Sequence, residues 1–444
     1  MHHIHDTHDH DLIVVGAGIA GLAAALTAAG SRRRVLVLDA HAAGGRARTL
    51  ERDGYLLNVG PHGLYRGAAF ERLLERHNVA FTAGAPEVHQ TVLVREGIAH
   101  PQSLTTLALA RTPLLSGRER VQLATFFGRL RISDPRRLVG TTVSSWLADL
   151  SAGVREFVEM LVRISTYTDA PERFDAGAAA AQLQLATGRG VRYVDGGWSA
   201  LVEGMRARLV ELGVEVRTGT AVASVTVSPD SPDSPDRPDG PTVISVDGTE
   251  YRAAAVVIAA GGPDVAARLT GTVAAGIPGV AGLTAPVTAS VLDLGLGRAR
   301  PLAAYALDEP LYLSAHAPAA RLAPEGAGLV TVMRYHSPGR PAGDPDTVAA
   351  ELRTHAWRSG VDPADVVVDR FLHRLVVAHG APTAAGGGLA GRPPVDALAA
   401  LGRPDVFLAG DWVGADGLLA DAAVASGTAA ARRAIERTRA RIPA

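Results

Sequence analysis

A glycine-rich turn between an apolar strand and a small-residue helix is the feature that most restricts the fold. Gly16, Gly18 and Gly21 form a G-x-G-x-x-G pattern that opens a helix over residues 19–29. The first glycine permits a tight turn, the second lets backbone approach a pyrophosphate, and the third allows close helix–strand packing. A second apolar strand ends at Asp39, where a carboxylate can bind a ribose. Because all these parts occur in order, a dinucleotide site is favoured over an ordinary glycine turn.

A second match to the same pattern serves as a control. Gly386, Gly388 and Gly391 have the same spacing, but Arg392-Pro393-Pro394 follows them where a helix would have to begin. Proline removes backbone donors and disfavours helix continuation. We interpret this segment as a flexible loop, which gives no reason to predict a separate NAD(P)H site.

Two missing residue types exclude whole classes of chemistry. The 444 residues contain no cysteine, and all 44 basic residues are arginine, so the chain has no lysine. Disulfides, thiol nucleophiles, cysteine-bound metals and lysine Schiff bases are therefore impossible. With 45 acidic residues the net charge is −1, which argues against a nucleic-acid partner.

The ends and loops of the chain show no targeting signal. Residues 1–10 are polar and rich in histidine; a metal site is the alternative, but we interpret them as a flexible tail and predict no metal. A tandem Ser-Pro-Asp run within residues 228–241 is typical of a surface loop. Apolar runs stay well short of the ~20 residues of a membrane-spanning helix. These features favour a cytoplasmic protein.

The middle of the chain divides into stretches with different patterns. Residues 68–185 are predicted to be largely helical, and a helix is expected over 201–212. Runs at 214–227 and 242–246 predict a hairpin-like insert. Strands of a second, mostly antiparallel sheet are predicted at 287–294, 302–313, 329–335 and 366–377.

Two further segments favour FAD over NAD as the dinucleotide. Gly44-Gly45-Arg46 follows the ribose-binding acid closely, so that backbone and a guanidinium can face the pyrophosphate or the ribityl chain. Gly410-Asp411 follows a strand over 406–409 and precedes a long Ala-rich helix to 441. A carboxylate there suits ribityl hydroxyls, and a helix N-terminus suits the pyrimidine edge of a reduced flavin.

Together these motifs carry a resemblance to a known family. The glycine fingerprint, Gly44-Gly45-Arg46, Asn58-Val59-Gly60-Pro61-His62 and Ala409-Gly410-Asp411 resemble the FAD-dependent amine oxidase superfamily. Asp195-Gly196-Gly197-Trp198 is similar to a segment of its phytoene desaturase and protoporphyrinogen oxidase branch. The resemblance covers about residues 11–66, 190–262 and 404–440, and covers the substrate-binding portions poorly.

The resemblance implies an α/β fold with a Rossmann-like FAD-binding domain interleaved with a substrate domain of mixed antiparallel sheet and helices. The FAD-binding domain would comprise residues 11–66, 190–270 and 400–441. The substrate domain would comprise residues 67–189 and 271–399.

The resemblance also implies roles for individual residues towards a non-covalent FAD. The glycines of the fingerprint would cradle the pyrophosphate, Asp39 would hold the adenosine ribose, and Val222 would face the adenine. Asp411 would contact the ribityl–phosphate region, and His62 would lie near the isoalloxazine. The predicted cofactor-binding set is Gly16, Gly18, Ile19, Ala20, Gly21, Asp39, Gly44, Gly45, Arg46, Gly60, Pro61, His62, Val222, Gly410, Asp411 and Leu418 or its neighbour.

The missing lysine bears on the reaction. Relatives that oxidise amines commonly use a lysine near the flavin, so its absence moves the prediction from amine oxidation towards a desaturase or dehydrogenase acting on carbon of a hydrophobic small molecule. Electrons would pass to oxygen or another acceptor. Catalytic candidates are His62, Tyr335 and His336, and substrate-binding candidates are Arg334, Arg374 and His379.

Several alternatives remain open at this point. They are an amine (C–N) oxidase, a redox-neutral FAD-dependent isomerase, and a non-catalytic lipid-binding protein of the GDP-dissociation-inhibitor type. The last is disfavoured because Arg46 and Gly410-Asp411 are retained. Residues 104–138, which mix leucine, phenylalanine and arginine, predict either peripheral contact with a membrane or a helix with one buried face; we favour the second.

Overall fold

The computed structural model describes residues 9–31, 33–227 and 240–440. The strands in these ranges are β1 (His10–Val15), β2 (Val35–Leu38), β3 (Thr49–Arg52), β4 (Tyr55–Asn58), β5 (Leu64–Tyr65), β6 (Ala83–Gly84), β7 (Thr91–Arg95), β8 (Ile98–Pro101), β9 (Val191–Val194), β10 (Glu215–Arg217), β11 (Val222–Val227), β12 (Pro241–Ser245), β13 (Glu250–Ile258), β14 (Val287–Leu296), β15 (Ala303–Ala306), β16 (Leu311–Ala317), β17 (Gly328–Tyr335), β18 (Val366–Ala378) and β19 (Val406–Leu408). The helices are α1 (Ile19–Ala29), α2 (Ala69–Arg76), α3 (Thr106–Leu109), α4 (Gly117–Ile132), α5 (Val143–Trp146), α6 (Ala152–Thr166), α7 (Ala176–Arg189), α8 (Trp198–Glu211), α9 (Pro263–Thr270), α10 (Pro345–Arg358) and α11 (Leu419–Ala440).

The first sheet assembles strands from three separate stretches of the chain. Its parallel part runs β10-β2-β1-β13, and β19 pairs with the other side of β13. Earlier along its length, β13 instead pairs antiparallel with β12, which in turn pairs with β11. The parallel-paired parts of the central strands, residues 12–15, 35–38 and 255–258, are apolar because helices cover both faces of a parallel sheet.

Small residues allow α1 and α11 to pack closely against each other and this sheet. Ten of the eleven residues of α1 are buried, and most are alanine. A Cβ atom added at Gly427 of α11 would overlap the carbonyl oxygen of Ala20. The first and last helices of the fold are therefore held together at a backbone-to-backbone contact that larger side chains would prevent.

The second sheet has the order β18-β14-β17-β16-β15-β7-β8 and is antiparallel except for the β7–β15 pair. All ten residues of β14, which lies between β18 and β17, are buried. Ala289 and Val291 pack in the core shared with α4, α6 and α7, whereas Leu292 and Leu294 pack on the α10 side. This alternation follows from the two-residue period of a strand that is covered on both faces.

The predicted fold class is confirmed, and four details differ from the prediction. The stretch 68–185 contains strands β6, β7 and β8 in addition to its helices, and the predicted run 302–313 is two strands, β15 and β16. Residue 10 belongs to β1 and not to a tail. The predicted run 214–227 is two strands: β10 pairs in parallel with β2, and β11 forms the antiparallel pair with β12.

Two predicted segments lie outside the described residues. They are the histidine-rich tail, apart from residues 9 and 10, and the Ser-Pro-Asp loop, apart from its last two residues. Among the helices that the structure describes, none combines the length and the apolar character needed to span a bilayer.

Candidate functional site

The glycine turn between β1 and α1 lies at the wall of a large cavity. Gly16 has φ of 106°, and a Cβ atom there would lie 2.8 Å from the carbonyl oxygen of Ala259. A Cβ atom at Gly21 would overlap the carbonyl oxygen of Gly16, so this glycine serves the packing of helix on strand. At Gly18 a Cβ atom would meet nothing within 4 Å. Gly18 therefore faces open space at the start of α1, where helix N–H groups attract phosphate.

Asp39 is held by backbone groups at the end of β2. One carboxylate oxygen accepts the N–H of Ala17 at 2.6 Å, and the other accepts the N–H of His41 at 2.8 Å. The N–H of Thr220 donates to the carbonyl oxygen of Asp39 at 2.8 Å, which brings Val222 to the same end of the cavity. The arrangement orients an acidic side chain beside the glycine turn.

An ion pair between a half-buried arginine and a buried carboxylate joins residues that are far apart in sequence. The guanidinium of Arg46 donates to both carboxylate oxygens of Asp411, at 3.1 and 3.2 Å, and to the carbonyl oxygen of Val377 at 2.6 Å. The backbone N–H of His379 donates to Asp411 at 2.9 Å, and its Nδ1 lies 2.8 Å from the other carboxylate oxygen. Thus the β18 end, the Gly44–Arg46 turn and the loop after β19 meet at one carboxylate.

The environment keeps Asp411 ionised. Burial by itself would raise its pKa, but Arg46 and the hydrogen bond from His379 hold the pKa well below the usual value for aspartate. The buried Arg392 donates to the carbonyl oxygens of Asp411 and Gly417, at 3.0 and 2.9 Å. Burial lowers the pKa of Arg392 to about 10, so it stays charged at neutral pH and secures the loop between β19 and α11.

His62 lies in the cavity wall as a neutral ring. Its Nδ1 is 2.8 Å from the carbonyl oxygen of Gly60 and must donate to it, and its ring contacts Trp198 at 4.4 Å between centroids. Burial lowers the pKa of His62 to about 4. The imidazole is therefore uncharged at neutral pH, with Nε2 left as an acceptor.

The cavity has a volume of about 1750 Å³ and extends from the glycine turn into the space between the two sheets. Fourteen of the sixteen predicted cofactor-binding residues line it; Gly21 and Leu418 do not. Gly21 acts in packing, and Leu418 is buried in the neighbouring core, so Leu419 at the start of α11 takes its place. Beyond His62 the cavity becomes an apolar chamber, which is lined by Phe127, Phe157, Leu161, Ile164, Tyr167, Tyr193, Tyr305 and Tyr312.

The structure does not bring four of the predicted catalytic and substrate residues to this cavity. Arg334 forms an ion pair with Glu351 of α10 at 2.9 Å, and Arg374 is exposed on β18. His336 is hydrogen-bonded to Thr288 and Ser290. These expectations are corrected because clustering at strand ends in sequence does not show which face of a strand a side chain occupies.

Tyr335 and His379 also need different interpretations. Tyr335 is buried behind Tyr167, at 6.2 Å between ring centroids, and does not itself line the cavity. His379 lines the cavity but contacts Asp411 and Arg46, on the side of the cofactor-binding residues. It is thus placed away from the chamber in which we expected it to bind substrate.

Sequence reasoning missed two buried residues around the site. Arg392 stood in the segment that we interpreted as a flexible loop, yet it is buried and both of its terminal guanidinium nitrogens donate to the loop after β19. Asp421, in the first turn of α11, lines the cavity and accepts the N–H of Phe70 at 2.8 Å. An acidic residue in the alanine-rich first turns of α11 was the only signal for Asp421.

This arrangement of two sheets, a glycine turn and a carboxylate–arginine pair around one crevice is typical of a dinucleotide-binding protein. The family model for flavin containing amine oxidoreductase matches residues 19–292, and the chain belongs to this family. The protein is therefore an FAD-dependent oxidoreductase, and the predicted resemblance and cofactor are confirmed.

Individual relatives agree with this assignment. The chain is 30% identical over 258 residues to phytoene dehydrogenase from Streptomyces griseus, a match that spans 50% of this chain and 50% of that protein. In fold it is similar to an oxidoreductase from Methanosarcina mazei, with a TM-score of 0.74, 16% identity and coverage of 94% of this chain and 99% of the other. It is also similar to putrescine oxidase bound to putrescine, with a TM-score of 0.73, 16% identity and coverage of 96% and 99%.

The residues present fit FAD. Gly18 leaves room against the first turn of α1, which has no side-chain cap that would compete for its N–H groups. At Gly44 a Cβ atom would lie 3.3 Å from a methyl group of Val202, and its φ of 108° favours glycine. The crevice is thus shaped for a ligand that approaches backbone closely, as a pyrophosphate does.

Proposed function

We propose that the protein is a desaturase or dehydrogenase that uses FAD to remove hydride from carbon of a hydrophobic small molecule. The observation that carries this proposal is the character of the chamber beyond His62. Its wall consists mainly of apolar and tyrosine side chains from α4, α6, β9, β15 and β16, and Arg120, Arg131 and Ser165 of the two helices also line the cavity. When bound, FAD supplies the two-electron acceptor, so the chain's task is to hold the substrate and exclude water.

The charges around the chamber support a substrate whose part inside the chamber is not a cation. Among the described residues that line the cavity, the acidic side chains are Asp39, Asp411 and Asp421, and none of them belongs to the elements that form the chamber. A protonated amine would lose its hydration without meeting a carboxylate there. Burial raises the pKa of Tyr167 and Tyr312 well above the usual value, so both remain neutral hydroxyls.

We assign the following roles to the cofactor-binding residues. Gly16 and Gly18, with the N-terminus of α1, would hold the pyrophosphate, and Asp39 would accept hydrogen bonds from the adenosine ribose. Asp411, kept ionised by Arg46, would accept hydrogen bonds from ribityl hydroxyls. The neutral His62 would border the chamber. These roles imply the same two interleaved domains as the sequence, with residues 11–66, 190–270 and 400–441 forming the FAD-binding domain.

An amine (C–N) oxidase is the second candidate, and the tyrosines favour it. Tyrosine faces attract cations, and a neighbour in fold, putrescine oxidase, is bound to putrescine. The absence of lysine from the sequence and of carboxylates from the described chamber wall places this function second.

Anaerobic reduction of the bound flavin distinguishes the two functions. We expect apolar polyenes or alicyclic compounds to bleach the visible flavin absorbance of the purified protein, and we expect matched primary and secondary amines, putrescine included, to leave it unchanged. Bleaching by amines alone would replace the proposal with C–N oxidation. Turnover without net bleaching would favour an isomerase.

A matched pair of variants tests the chamber. Ile164 of α6 lines the chamber, whereas Ile132 at the end of α4 is 86% exposed. Ile164→Asp places a charge against the apolar substrate and should lower kcat/KM by at least about tenfold, because burying a charge without a partner costs more than 1.4 kcal/mol. Ile132→Asp should leave kcat/KM unchanged. Flavin content is measured for both, and equal kcat/KM values in the two variants would contradict the placement of substrate.

A further inference from the structure

Two arginines at the mouth of the cavity lack partners. Arg66, after β5, and Arg189, the last residue of α7, both line the cavity and are both exposed, which places them where the cavity meets solvent. Within the described parts of the chain, neither guanidinium forms a hydrogen bond or an ion pair. Arg131 on α4 also lines the opening without an acidic partner.

The two arginines belong to one compact positive group. The N–H of Arg66 donates to the carbonyl oxygen of Gly190 at 3.1 Å, so the residue that follows Arg189 is bound directly to Arg66. A Cβ atom added to Gly67 would overlap the guanidinium of Arg189. The guanidinium of Arg189 thus lies beside the backbone that follows Arg66, and two exposed positive charges at this rim favour an anionic group there.

The nearby carboxylate does not neutralise them. Glu71 of α2 is buried, forms an ion pair with Arg192 at 3.3 Å and accepts the N–H of Gly67 at 2.5 Å. The negative charge of Glu71 is balanced by Arg192, so it does not neutralise Arg66 and Arg189. A cation is generally favourable at a helix C-terminus such as that of α7, but that effect does not account for Arg66.

We propose that the substrate is an amphipathic carboxylate whose anionic group is bound at the mouth by Arg66 and Arg189. This inference rests on the proposed function and names its substrate class. Strand β9 leads from Gly190 to Tyr193 in the chamber wall, a distance of about 10 Å at 3.3 Å per residue. A carboxylate held at the rim therefore leaves an extended apolar chain directed over Tyr193 into the chamber.

A fluorescent polyene acid and its neutral ester test the proposal. The FAD-loaded protein is titrated with cis-parinaric acid and with its methyl ester, which have the same apolar body. We expect the acid to bind at least about tenfold more tightly than the ester, the size of effect that one charge-assisted contact produces. The preference should weaken as ionic strength rises. Equal affinities of the two probes would overturn the proposal.

Variants assign the preference to the two residues. Arg66→Gln and Arg189→Gln should each weaken binding of the acid several-fold, and the double variant should bind acid and ester alike. Arg129→Gln is the matched control, because Arg129 is exposed on α4 and does not line the cavity. Flavin content should be equal in all variants. A double variant that keeps the acid preference, or that loses FAD, would overturn the assignment.

A lipid headgroup is the other source of an anion at this rim. Co-sedimentation with phosphatidylglycerol and phosphatidylcholine vesicles distinguishes it: vesicle binding that the double variant loses, with the acid preference retained, would assign the arginines to a membrane surface instead. All these readouts are binding measurements without turnover. Failure of apolar compounds to reduce the flavin would therefore refute the proposed function and leave the acid preference to be judged separately.

Discussion

Gly18 and Gly21 lie three residues apart in one turn, but glycine is needed at the two positions for different physical reasons. A side chain at Gly18 would project into the cavity and meet no protein atom within 4 Å. A side chain at Gly21 would overlap the backbone of Gly16. The first position is constrained by the ligand and the second by the fold, a distinction that the sequence motif alone does not express.

Alanine substitutions should separate these two constraints. Gly18→Ala has an allowed backbone conformation, with φ of −75°, so we expect an unchanged melting temperature but FAD affinity lowered by about tenfold or more. Gly21→Ala should lower the free energy of unfolding by about 1–3 kcal/mol through overpacking. Thermal melts of the FAD-free proteins and FAD titrations measure both effects. A destabilised Gly18→Ala protein with normal FAD affinity would contradict this assignment.

Asp411 shows that a sequence motif can predict a residue of the site without predicting the partners of that residue. The Gly-Asp pair after an apolar strand predicted a carboxylate near the cofactor. Its partners Arg46 and His379 lie 365 and 32 residues away in sequence. A pattern of residues along the chain carries no information about such pairings, so the low pKa of Asp411 became visible only with the fold.

Among the elements, α2 and α11 are joined by a buried acid. Asp421 in the first turn of α11 accepts the N–H of Phe70 at the start of α2. Burial raises its pKa to about 6. An acid whose pKa is higher in the folded than in the unfolded state binds more protons when folded, so its contribution to stability falls as the pH rises from about 4 to about 6.

Replacing this acid should remove that pH dependence. Asp421→Asn retains an oxygen for the N–H of Phe70 and cannot ionise. Relative to the variant, wild type should lose about 2–3 kcal/mol of unfolding free energy between pH 4 and pH 6.5. Urea unfolding of both proteins at a series of pH values measures the difference. Because the histidines are common to both, a constant difference across this range would refute a raised pKa.

Residues 104–138 were predicted either to contact a membrane or to form a helix with one buried face, and α4 supports the second prediction. Leu123 and Leu130 are buried, and residues on the same face, Ala124 and Phe127 among them, line the cavity. The apolar face therefore forms the chamber wall, as a helix with one buried face requires. Contact of the exposed Val121 with a membrane stays a prediction.

At the scale of the whole molecule, the site lies where two separately built sheets meet. One sheet supplies the glycine turn and the loop after β19, and the other supplies the end of β18 and much of the chamber. A ligand bound at such a junction contacts both halves and stabilises the folded state by mass action.

Removal of FAD should therefore destabilise the protein. At FAD concentrations one hundred times the Kd, the gain is about 2.7 kcal/mol, so we expect the stripped protein to melt several degrees lower and to recover on addition of FAD. Acid precipitation should release all the yellow colour into the supernatant, since we predict a non-covalent cofactor. Colour that remained in the pellet would show a covalent bond.

What the sequence by itself determined is the local chemistry: a strand–turn–helix unit, an acid after each of two strands, and an inventory without lysine or cysteine. These depend on spacings of a few residues, and fourteen of the sixteen residues that the family resemblance implied line the cavity. Only the tertiary structure decided which face of a strand each side chain occupies, and this excluded Arg334 and His336 from the site. It also brought Arg392, Asp421, Arg66 and Arg189, from helices and loops, to the surroundings of the site. The physical reason is that pairing across hundreds of residues depends on sheet order and strand register, and these are properties of the assembled chain.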